Sequence, residues 1–372
     1  MFVAAYWQYP QVAYEMPRRL AERGHSVDAI VWNPSSNDLD KQAVSSRFSV
    51  YKVPGINLAS TIKKAQIYPY LLGLSHIIEA LDPDIVDSQS HLFLTTAQAL
   101  RSVRNLGTPS IVTVHGVMAK RDYLTNLAQN IYLYTIAKRI FNKASAVRCL
   151  TRNDAIEIGK YGCPIEKIRI IPNAVDTELF SPNDRMMKEE ADSIVWAGRF
   201  VQEKGLAHFV RAASIVVKNR GNVKFTIIGS GPLEREVRSM VERHGLSDNI
   251  VFTGSATREQ VANTFKGAGI FALTSTREGM PLTLLEAMAS GCATVVTAIP
   301  GIGDLVKHER NGIVVPTTNP KALADAILVL LDDRKLRRHL GQEARRSVVK
   351  KYGWELVISK VEQVYNEIVQ EV

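Results

Sequence analysis

Short runs of aliphatic and β-branched residues alternate with helix-length amphipathic segments along the whole chain. The runs that we predict as strands are residues 27–32, 85–87, 110–114, 193–196, 224–228, 250–252, 270–273 and 293–296. Strands that alternate with helices form parallel sheets, because two parallel neighbours need a long crossover between them. The sequence therefore predicts an α/β fold of doubly wound, Rossmann-like parallel sheets.

The predicted strands fall into two sets, separated by residues 168–176 and by a polar stretch without periodicity at residues 181–192. A chain of 372 residues also exceeds what one hydrophobic core usually supports. We place the boundary at Asp176, which gives an N-terminal domain of residues 1–176. Ligands of doubly wound sheets bind outside the carboxyl ends of the strands, where the strand order reverses. Two such sheets are expected to face a central cleft.

The composition is that of a soluble globular enzyme, with 46% hydrophobic and 22% charged residues. No run reaches the ~18 apolar residues of a membrane-spanning helix. Residues 1–6 lack the basic segment and cleavage site of a signal peptide, so we expect a cytoplasmic protein. Cys149, Cys163 and Cys292 are scattered and show no C-x-x-C spacing, which argues against a disulfide framework and a zinc site.

Positive charge is concentrated in the first half of the chain. Residues 1–175 carry an excess of seven basic over acidic side chains, and the remainder carries an excess of two. This bias fits an anionic partner, either a phosphorylated substrate or an acidic membrane surface, and it equally fits a solvated surface. The basic residues form no recognisable nucleic-acid-binding module, so no nucleic-acid partner is expected.

Residues 124–143 combine apolar side chains at helical spacing with nearby basic ones. The basic residues are Lys120, Arg121, Lys138, Arg139 and Lys143. Such a segment predicts either a helix that lies on an anionic membrane or a core helix with a basic outer face. The first alternative implies peripheral association with the inner face of the cell membrane.

A helix is predicted from about Pro281 to Ser290, directly after a strand. Pro281 suits the first turn and Gly291 suits the C-terminal cap. The amides from Gly279 to Leu284 are expected to bind an anion, because they lack intrahelical partners and lie at the positive end of the helix dipole. The helix also carries a polar stripe, formed by Thr283, Glu286 and Ser290.

Glu278 and Glu286 form an E-x7-E pattern around the start of this helix. At 1.5 Å per helical residue the pattern spans roughly 12 Å, which matches the distance from a sugar hydroxyl across a diphosphate to a ribose. Carboxylates accept hydrogen bonds from hydroxyl groups, whereas phosphates need amides and cations. The pattern is equally consistent with a structural alternative, in which Glu278 is a loop residue and Glu286 is a solvated helix position.

Arg199 and Lys204 follow the strand at residues 193–196 and are flanked by Gly198 and Gly205. Arginine binds two phosphate oxygens in a forked geometry, and lysine adds a point charge. Each alone is more typical of a surface cation. Their position after a strand, between glycines, favours an anion site.

The chain resembles glycosyltransferase family 4, the retaining group with the GT-B fold. The resemblance runs along nearly the whole chain and depends on several motifs together. They are Gly198-Arg199 with Lys204-Gly205, Ile228-Gly229-Ser230-Gly231-Pro232-Leu233, Val251-Phe252-Thr253-Gly254, the E-x7-E helix, Gly301-Ile302-Gly303-Asp304 with Asn311-Gly312, and Ile171-Pro172-Asn173-Ala174-Val175-Asp176.

The resemblance implies transfer of a hexose-type sugar from a UDP- or GDP-linked donor to a glycan or lipid-linked acceptor. It implies retention of configuration, with neither metal nor cofactor. The C-terminal domain, residues 177–354, would bind the nucleotide sugar. Residues 355–372 would cross back onto the acceptor-side N-terminal domain.

Roles for individual residues also follow from the resemblance. The catalytic residues would be His115, Glu278, Arg199 and Lys204. Arg199 and Lys204 would bind the diphosphate, and Glu286 the ribose. Glu278 and the Gly279 and Met280 amides would bind the sugar. The remaining donor-binding positions would be Gly254 and Ser255 near the base, Pro281, and the Thr283 and Leu284 amides at the phosphates.

Some features depart from the family pattern. Residues 9–16 contain no glycine, although the family usually has a glycine pair after its first strand. Ala174 and Asp304 also replace the commoner glycine and glutamate. The alternatives are a sugar-nucleotide epimerase or a glycogen-type phosphorylase on the same fold, and a non-catalytic subunit that binds sugar nucleotides.

Overall fold

The computed structural model describes residues 1–4, 14–36, 38–57, 69–117, 123–182 and 192–371. The chain divides into two compact units. The N-terminal unit comprises Met1–Pro172 and Ile358–Val372, and the C-terminal unit comprises Asn173–Val357. The division thus falls four residues before the expected boundary at Asp176, and the chain returns to the first unit at Ile358. The glycine-free segment at 9–13, Lys120 and Arg121 lie outside the described residues.

The N-terminal unit is built on a sheet with nine strands in the described ranges. They are β1 (Phe2–Ala4), β2 (Val27–Asn33), β3 (Asp40–Ser45), β4 (Phe48–Asn57), β5 (Pro69–Leu71), β6 (Val86–Gln89), β7 (Ser110–Val114), β8 (Ala146–Cys149) and β9 (Ile168–Ile170). Their order is β3-β4-β2-β1-β6-β7-β8-β9, and β5 pairs with β4. β3 and β5 run antiparallel to β4. The other pairs are parallel, and the strand order reverses between β1 and β6.

Helices cover both faces of this sheet. They are α1 (Met16–Glu22), α2 (Leu74–Leu81), α3 (Leu94–Leu106), α4 (Tyr123–Tyr132), a π-helical turn (Leu133–Ala137), α5 (Lys138–Lys143) and α6 (Arg152–Lys160). Two cores lie side by side on one face: one contains Ile30, Val53 and Ile78, and the other contains Val147 and Phe141. On the opposite face, Met16 of α1 contacts Arg148 of β8. β6, β7 and β8 are buried along their whole length, as expected of parallel strands covered on both faces.

The C-terminal unit is a six-stranded parallel sheet in the described residues. Its strands are β10 (Ser193–Ala197), β11 (Lys224–Ile228), β12 (Ile250–Gly254), β13 (Ile270–Leu273), β14 (Ala293–Thr297) and β15 (Ile313–Val315). The order is β12-β11-β10-β13-β14-β15. The chain therefore builds outward from β10 through β11 and β12, and then crosses to the other side of β10 to add β13. The reversal lies between β10 and β13.

The helices of the C-terminal part are α7 (Leu206–Asn219), α8 (Glu234–Arg243), α9 (Arg258–Lys266), α10 (Leu282–Ala289), α11 (Ile302–Leu305), α12 (Pro320–Asp332), α13 (Arg334–Tyr352) and α14 (Trp354–Gln370). The core contains Trp196, Phe209, Phe225 and Leu330. In the ranges that the structure describes, no helix is both long and apolar enough to cross a membrane.

All eight predicted strands are present, with ends within two residues of the prediction. The prediction missed several others. β3 is exposed at most positions, so it lacks the apolar alternation that identifies a strand. β4 contains Pro54 and Gly55, which interrupt the pattern. The fold class, α/β with two Rossmann-like parallel sheets, is confirmed.

Candidate functional site

The carboxyl ends of β10 and β13 carry the two charged loops that the sequence singles out. These strands are parallel neighbours, with Ile194 opposite Ile270 and Val195 opposite Phe271. The loop after β10 contains Arg199 and Lys204, and the loop after β13 contains Glu278. Both loops therefore leave the same edge of the sheet, at the reversal of strand order where doubly wound sheets bind ligands.

Close backbone contacts fix the relative positions of these loops. Gly205 has a φ of +65°, and a Cβ at this position would lie 2.1 Å from the carbonyl oxygen of Thr274. A Cβ at Gly229, after β11, would lie 2.0 Å from the carbonyl oxygen of Gly198. Glycine is the residue that fits both positions, because side chains are excluded by contact and by backbone conformation. The glycines of the two motifs thus hold three loops together.

Lys204 and Glu278 form an ion pair in the C-terminal unit. The Nζ atom of Lys204 lies 2.6 Å from Oε1 of Glu278, and the side chains are 21% and 12% exposed. The hydroxyl of Ser275 donates to the same oxygen at 2.6 Å. Thr274 Oγ1 donates to the backbone carbonyl of Lys204 and accepts from Trp196 Nε1, both at 2.9 Å. The pair is therefore held from both loops.

Arg199, Ser255 and Gly254 lie around the neighbouring strand ends. Arg199 is exposed in the loop after β10. The hydroxyl of Ser255, after β12, is 2.8 Å from that of Ser230, after β11. Gly254 has a φ of +70° and open space where a Cβ would stand. These residues border the same edge of the sheet as Lys204.

Helix α10 begins one residue later than predicted. Pro281 is the N-terminal cap with an extended backbone, and Ser290 is the C-terminal cap. The Leu285 amide is the first to donate within the helix, to the Pro281 carbonyl at 3.3 Å. The amides of Thr283 and Leu284 precede it in the first turn, where helical geometry provides no acceptor.

The start of α10 is anchored to the segment that opens the C-terminal unit. The side-chain amide of Asn173 donates to the Met280 carbonyl at 3.3 Å, and the Asn173 backbone amide lies 3.2 Å from the Met280 sulfur. Asn173 is buried, and its Oδ1 has no hydrogen-bond partner in the described structure. This anchor holds the Gly279 and Met280 backbone in place.

The structure separates the two glutamates by environment. Glu286 is 5% exposed in the middle of α10, and Ser290 is also buried. The alternative of a solvated helix position is therefore wrong for Glu286. Thr283 and Glu278 are half-buried. The buried carboxylate of Glu286 needs polar partners, because an isolated buried charge is strongly unfavourable.

His115 belongs to the N-terminal unit, where it immediately follows β7. Its Nε2 atom lies 3.1 Å from Oε1 of Gln89, at the end of β6. Burial, with the charge of Arg148 and the nearby His91, lowers the pKa of His115 to about 3. The imidazole is therefore neutral near pH 7.

Sequence reasoning missed Ser275, Asn173 and Gln89. Ser275 lies three residues before Glu278, and Asn173 lies in the segment that separates the two sets of strands. No signal identified Gln89, because its contact with His115 joins two different strands.

Among the described residues, no group of three or more histidine, cysteine, aspartate or glutamate side chains could hold a metal ion. The three cysteines are free and buried. Burial raises the pKa of Cys163 and of Cys292 to about 12, which makes these thiols poor nucleophiles.

Two Rossmann-like units, with charged loops at the strand-order reversal, place this protein among the GT-B glycosyltransferases. The chain belongs to the group 1 glycosyltransferases: the model for glycosyl transferases group 1 matches residues 181–347, and the model for glycosyltransferase family 4 matches residues 10–179. The resemblance drawn from the motifs is confirmed, and the protein is a transferase enzyme.

The chain is also similar to individual known proteins in sequence and in structure. The chain is 26% identical to D-inositol 3-phosphate glycosyltransferase from Paenarthrobacter aurescens, over 80% of this chain and 78% of that protein. The structure of sucrose-phosphate synthase from Thermosynechococcus elongatus superposes with a TM-score of 0.83 at 19% identity, covering 100% of this chain and 99% of the other. Anabaena Alr3699/HepE in complex with UDP gives a TM-score of 0.77 at 14% identity, covering 98% and 99%. These two structures share its fold.

Proposed function

We propose that the protein transfers a hexose-type sugar from a UDP- or GDP-linked donor to a glycan or lipid-linked acceptor, with retention of configuration and without a metal. The observation that carries this proposal is the Lys204–Glu278 pair at the strand-order reversal, next to the N-terminus of α10. A cation and a carboxylate side by side provide one group for phosphate and one for sugar hydroxyls.

The diphosphate is the part of the donor that gains charge as the sugar departs. Arg199 and Lys204 would contact its oxygens, together with the Thr283 and Leu284 amides at the start of α10. Cations and oriented amides stabilise developing negative charge most strongly where they are already in position. The glycine contacts that fix the loops after β10 and β13 supply this preorganisation.

Glu278 would bind hydroxyls of the transferred sugar with the Gly279 and Met280 amides. Lys204 donates a hydrogen bond to Glu278. An incoming phosphate would compete for the ammonium group, while Ser275 continues to orient the carboxylate. Glu286 would bind the ribose hydroxyls, and Gly254 and Ser255 would lie near the base.

The chemical step would occur on one face of the sugar. The acceptor hydroxyl oxygen forms a bond to the anomeric carbon on the side from which the diphosphate leaves. The bond between that carbon and the phosphate oxygen breaks, and its electrons remain on the phosphate. The hydroxyl proton passes to a phosphate oxygen, so no protein nucleophile is needed. His115 would contact the transferred sugar.

A panel of UDP-, GDP- and ADP-linked sugars tests the proposal, read first by thermal shift and then by transfer in EDTA. A ligand at about 100 times its dissociation constant stabilises the folded protein by about 2.7 kcal/mol. We expect one nucleotide to stabilise the protein and transfer to proceed in EDTA. Complete loss of activity that manganese restores would reject metal independence. Donor conversion without acceptor would identify an epimerase, and binding without turnover a non-catalytic subunit.

We also propose that the acceptor side associates with an anionic membrane surface. Leu127, Ile131 and Tyr134 are 47%, 57% and 57% exposed on consecutive helical turns. Lys138 and Arg139, directly after them, are also exposed. An exposed apolar stripe beside basic residues fits the interface of an anionic bilayer.

Vesicle flotation tests this association. We expect the wild-type protein to bind vesicles that contain anionic lipid more strongly than neutral vesicles. Ile131→Ser should weaken the binding to anionic vesicles. Equal recovery with neutral and anionic vesicles would reject it, whereas a soluble glycan would then remain as the acceptor.

A further inference from the structure

Four side chains of the N-terminal unit form a continuous chain of hydrogen bonds that ends at His115. The hydroxyl of Tyr365, in α14, donates to Oδ2 of Asp87 at 2.8 Å. Oδ1 of Asp87 accepts from the amide nitrogen of Gln89 at 2.6 Å. Oε1 of Gln89 lies 3.1 Å from Nε2 of His115.

Strand geometry explains why these groups meet. Asp87 and Gln89 are two residues apart on β6, so their side chains lie on the same face of the sheet. The parallel neighbour β7 places Thr113 opposite Gln89, and His115 follows two residues later. Thr113 also donates to Oδ1 of Asp87, at 3.2 Å.

The direction of each hydrogen bond follows from the chemistry of Asp87. A carboxylate accepts, so the Gln89 amide must present its NH₂ group to Asp87 and its oxygen to His115. Burial raises the pKa of Asp87, whereas Arg148 and the bonds from Tyr365 and Thr113 oppose the rise. A proton on Oδ2 would face Tyr365 and would still leave Oδ1 as the acceptor for Gln89.

We infer that Gln89 is a positioning residue that fixes the neutral imidazole of His115 with its proton on Nε2. An amide oxygen has no proton to donate, so the ring nitrogen that faces it must carry one. Gln89 is 5% exposed and Asp87 1% exposed, so the amide is screened from water that would compete for these bonds. Nδ1 of His115 is then an acceptor nitrogen.

This inference deepens the proposed function, because its importance for transfer depends on His115 contacting the sugar. A ring with a fixed acceptor at Nδ1 recognises a hydroxyl or N–H donor there. For histidines that bind a metal, the loss of the hydrogen bond that orients the ring typically lowers metal affinity or activity 10- to 100-fold, and we use this range as the scale here. We therefore expect Gln89→Leu to lower the transfer rate by about that factor, with nucleotide affinity within about twofold of wild type.

The tautomer itself gives the decisive test, on wild-type protein labelled with ¹⁵N-histidine. The chain has eight histidines, and the signal missing from His115→Asn identifies His115. We expect one protonated nitrogen, Nε2, near pH 7. A proton on Nδ1 instead would overturn the inference, and this result needs only the wild-type protein.

Gln98→Leu is the matched control for Gln89→Leu. Gln98 also makes two hydrogen bonds in the same unit, both to the backbone of Leu71. We expect Gln89→Leu to alter the His115 tautomer signal and Gln98→Leu to leave it unchanged. An unchanged tautomer in a folded Gln89→Leu protein would overturn the inference. If the tautomer is as expected but no transfer is found with any donor, the proposed function fails and the positioning role stands.

Discussion

The ammonium group of Lys204 and the Glu278 carboxylate lie 2.6 Å apart, although 74 residues separate them in the chain. Their contact requires β10 and β13 to be neighbours, since each residue follows one of these strands. The switch in strand order thus assembles the charged centre of the C-terminal unit. In our proposal, this pair opens to admit the donor diphosphate.

The first prediction concerns the two cations. Arg199→Ala and Lys204→Ala should each lower turnover by roughly 100-fold or more, because in our proposal each side chain stabilises the charge that develops on the leaving diphosphate. Initial rates at saturating donor measure the effect. Lys224→Ala is the control, since Lys224 begins β11 at the opposite end of the sheet and bonds to the Asp248 carbonyl. Equal rates for all three variants would show that neither Arg199 nor Lys204 belongs to the site.

The second prediction concerns Gly205, where a side chain would meet the Thr274 carbonyl. Gly205→Ala should destabilise the protein by about 1–2 kcal/mol for the left-handed backbone and by about 1–3 kcal/mol for the overpacked contact. Gly245 has nearly the same φ, +66°, and open space where a Cβ would stand. Gly245→Ala should therefore show the backbone cost alone. Thermal denaturation compares them, and equal shifts would contradict the contact that joins the two loops.

The third prediction concerns acid stability and His91. This residue is fully buried, its ring nitrogens have no hydrogen-bond partners in the described structure, and burial lowers its pKa to about 4. As the pH falls below 6.5, the unfolded chain binds the proton first, so folding stability falls until about pH 4 and then levels. The loss from this residue reaches about 3 kcal/mol.

Replacing His91 by leucine should therefore flatten the decline in stability between pH 6.5 and 4, as measured by thermal denaturation at each pH. His339→Leu, at an exposed position on α13, is the control and should leave the slope unchanged. A His91→Leu protein with the wild-type slope would show that this ring does not resist protonation.

The sequence predicted the architecture because both parallel sheets have apolar strands of regular spacing. The strands of the C-terminal unit were recognised from β10 to β14, and the start of α10 was predicted to within one residue from Pro281. β3 was missed because it is polar and exposed. A strand that is exposed on both faces has no alternation of apolar and polar residues by which it could be recognised.

The candidate site was less predictable than the fold. The motifs identified Lys204 and Glu278 separately, with Lys204 assigned to phosphate and Glu278 to sugar, and did not reveal that the two side chains pair. Pairing depends on strand order, which local sequence does not encode. The same holds for His115, whose partner Gln89 lies on the adjacent strand and has no motif of its own.

The two glutamates test the central claim most directly, through nucleotide affinity and turnover measured on the same variants. Glu286→Gln should weaken binding of both donor and free nucleotide by about 1–3 kcal/mol, because a charge-assisted hydrogen bond becomes a neutral one. Glu278→Gln should lower turnover more than nucleotide affinity, since in our proposal Glu278 contacts the sugar near the reacting centre. Glu234→Gln, which alters an exposed carboxylate paired with Arg238, should change neither. Equal, small effects of Glu278→Gln and Glu286→Gln on both quantities would contradict the account and place the donor site elsewhere.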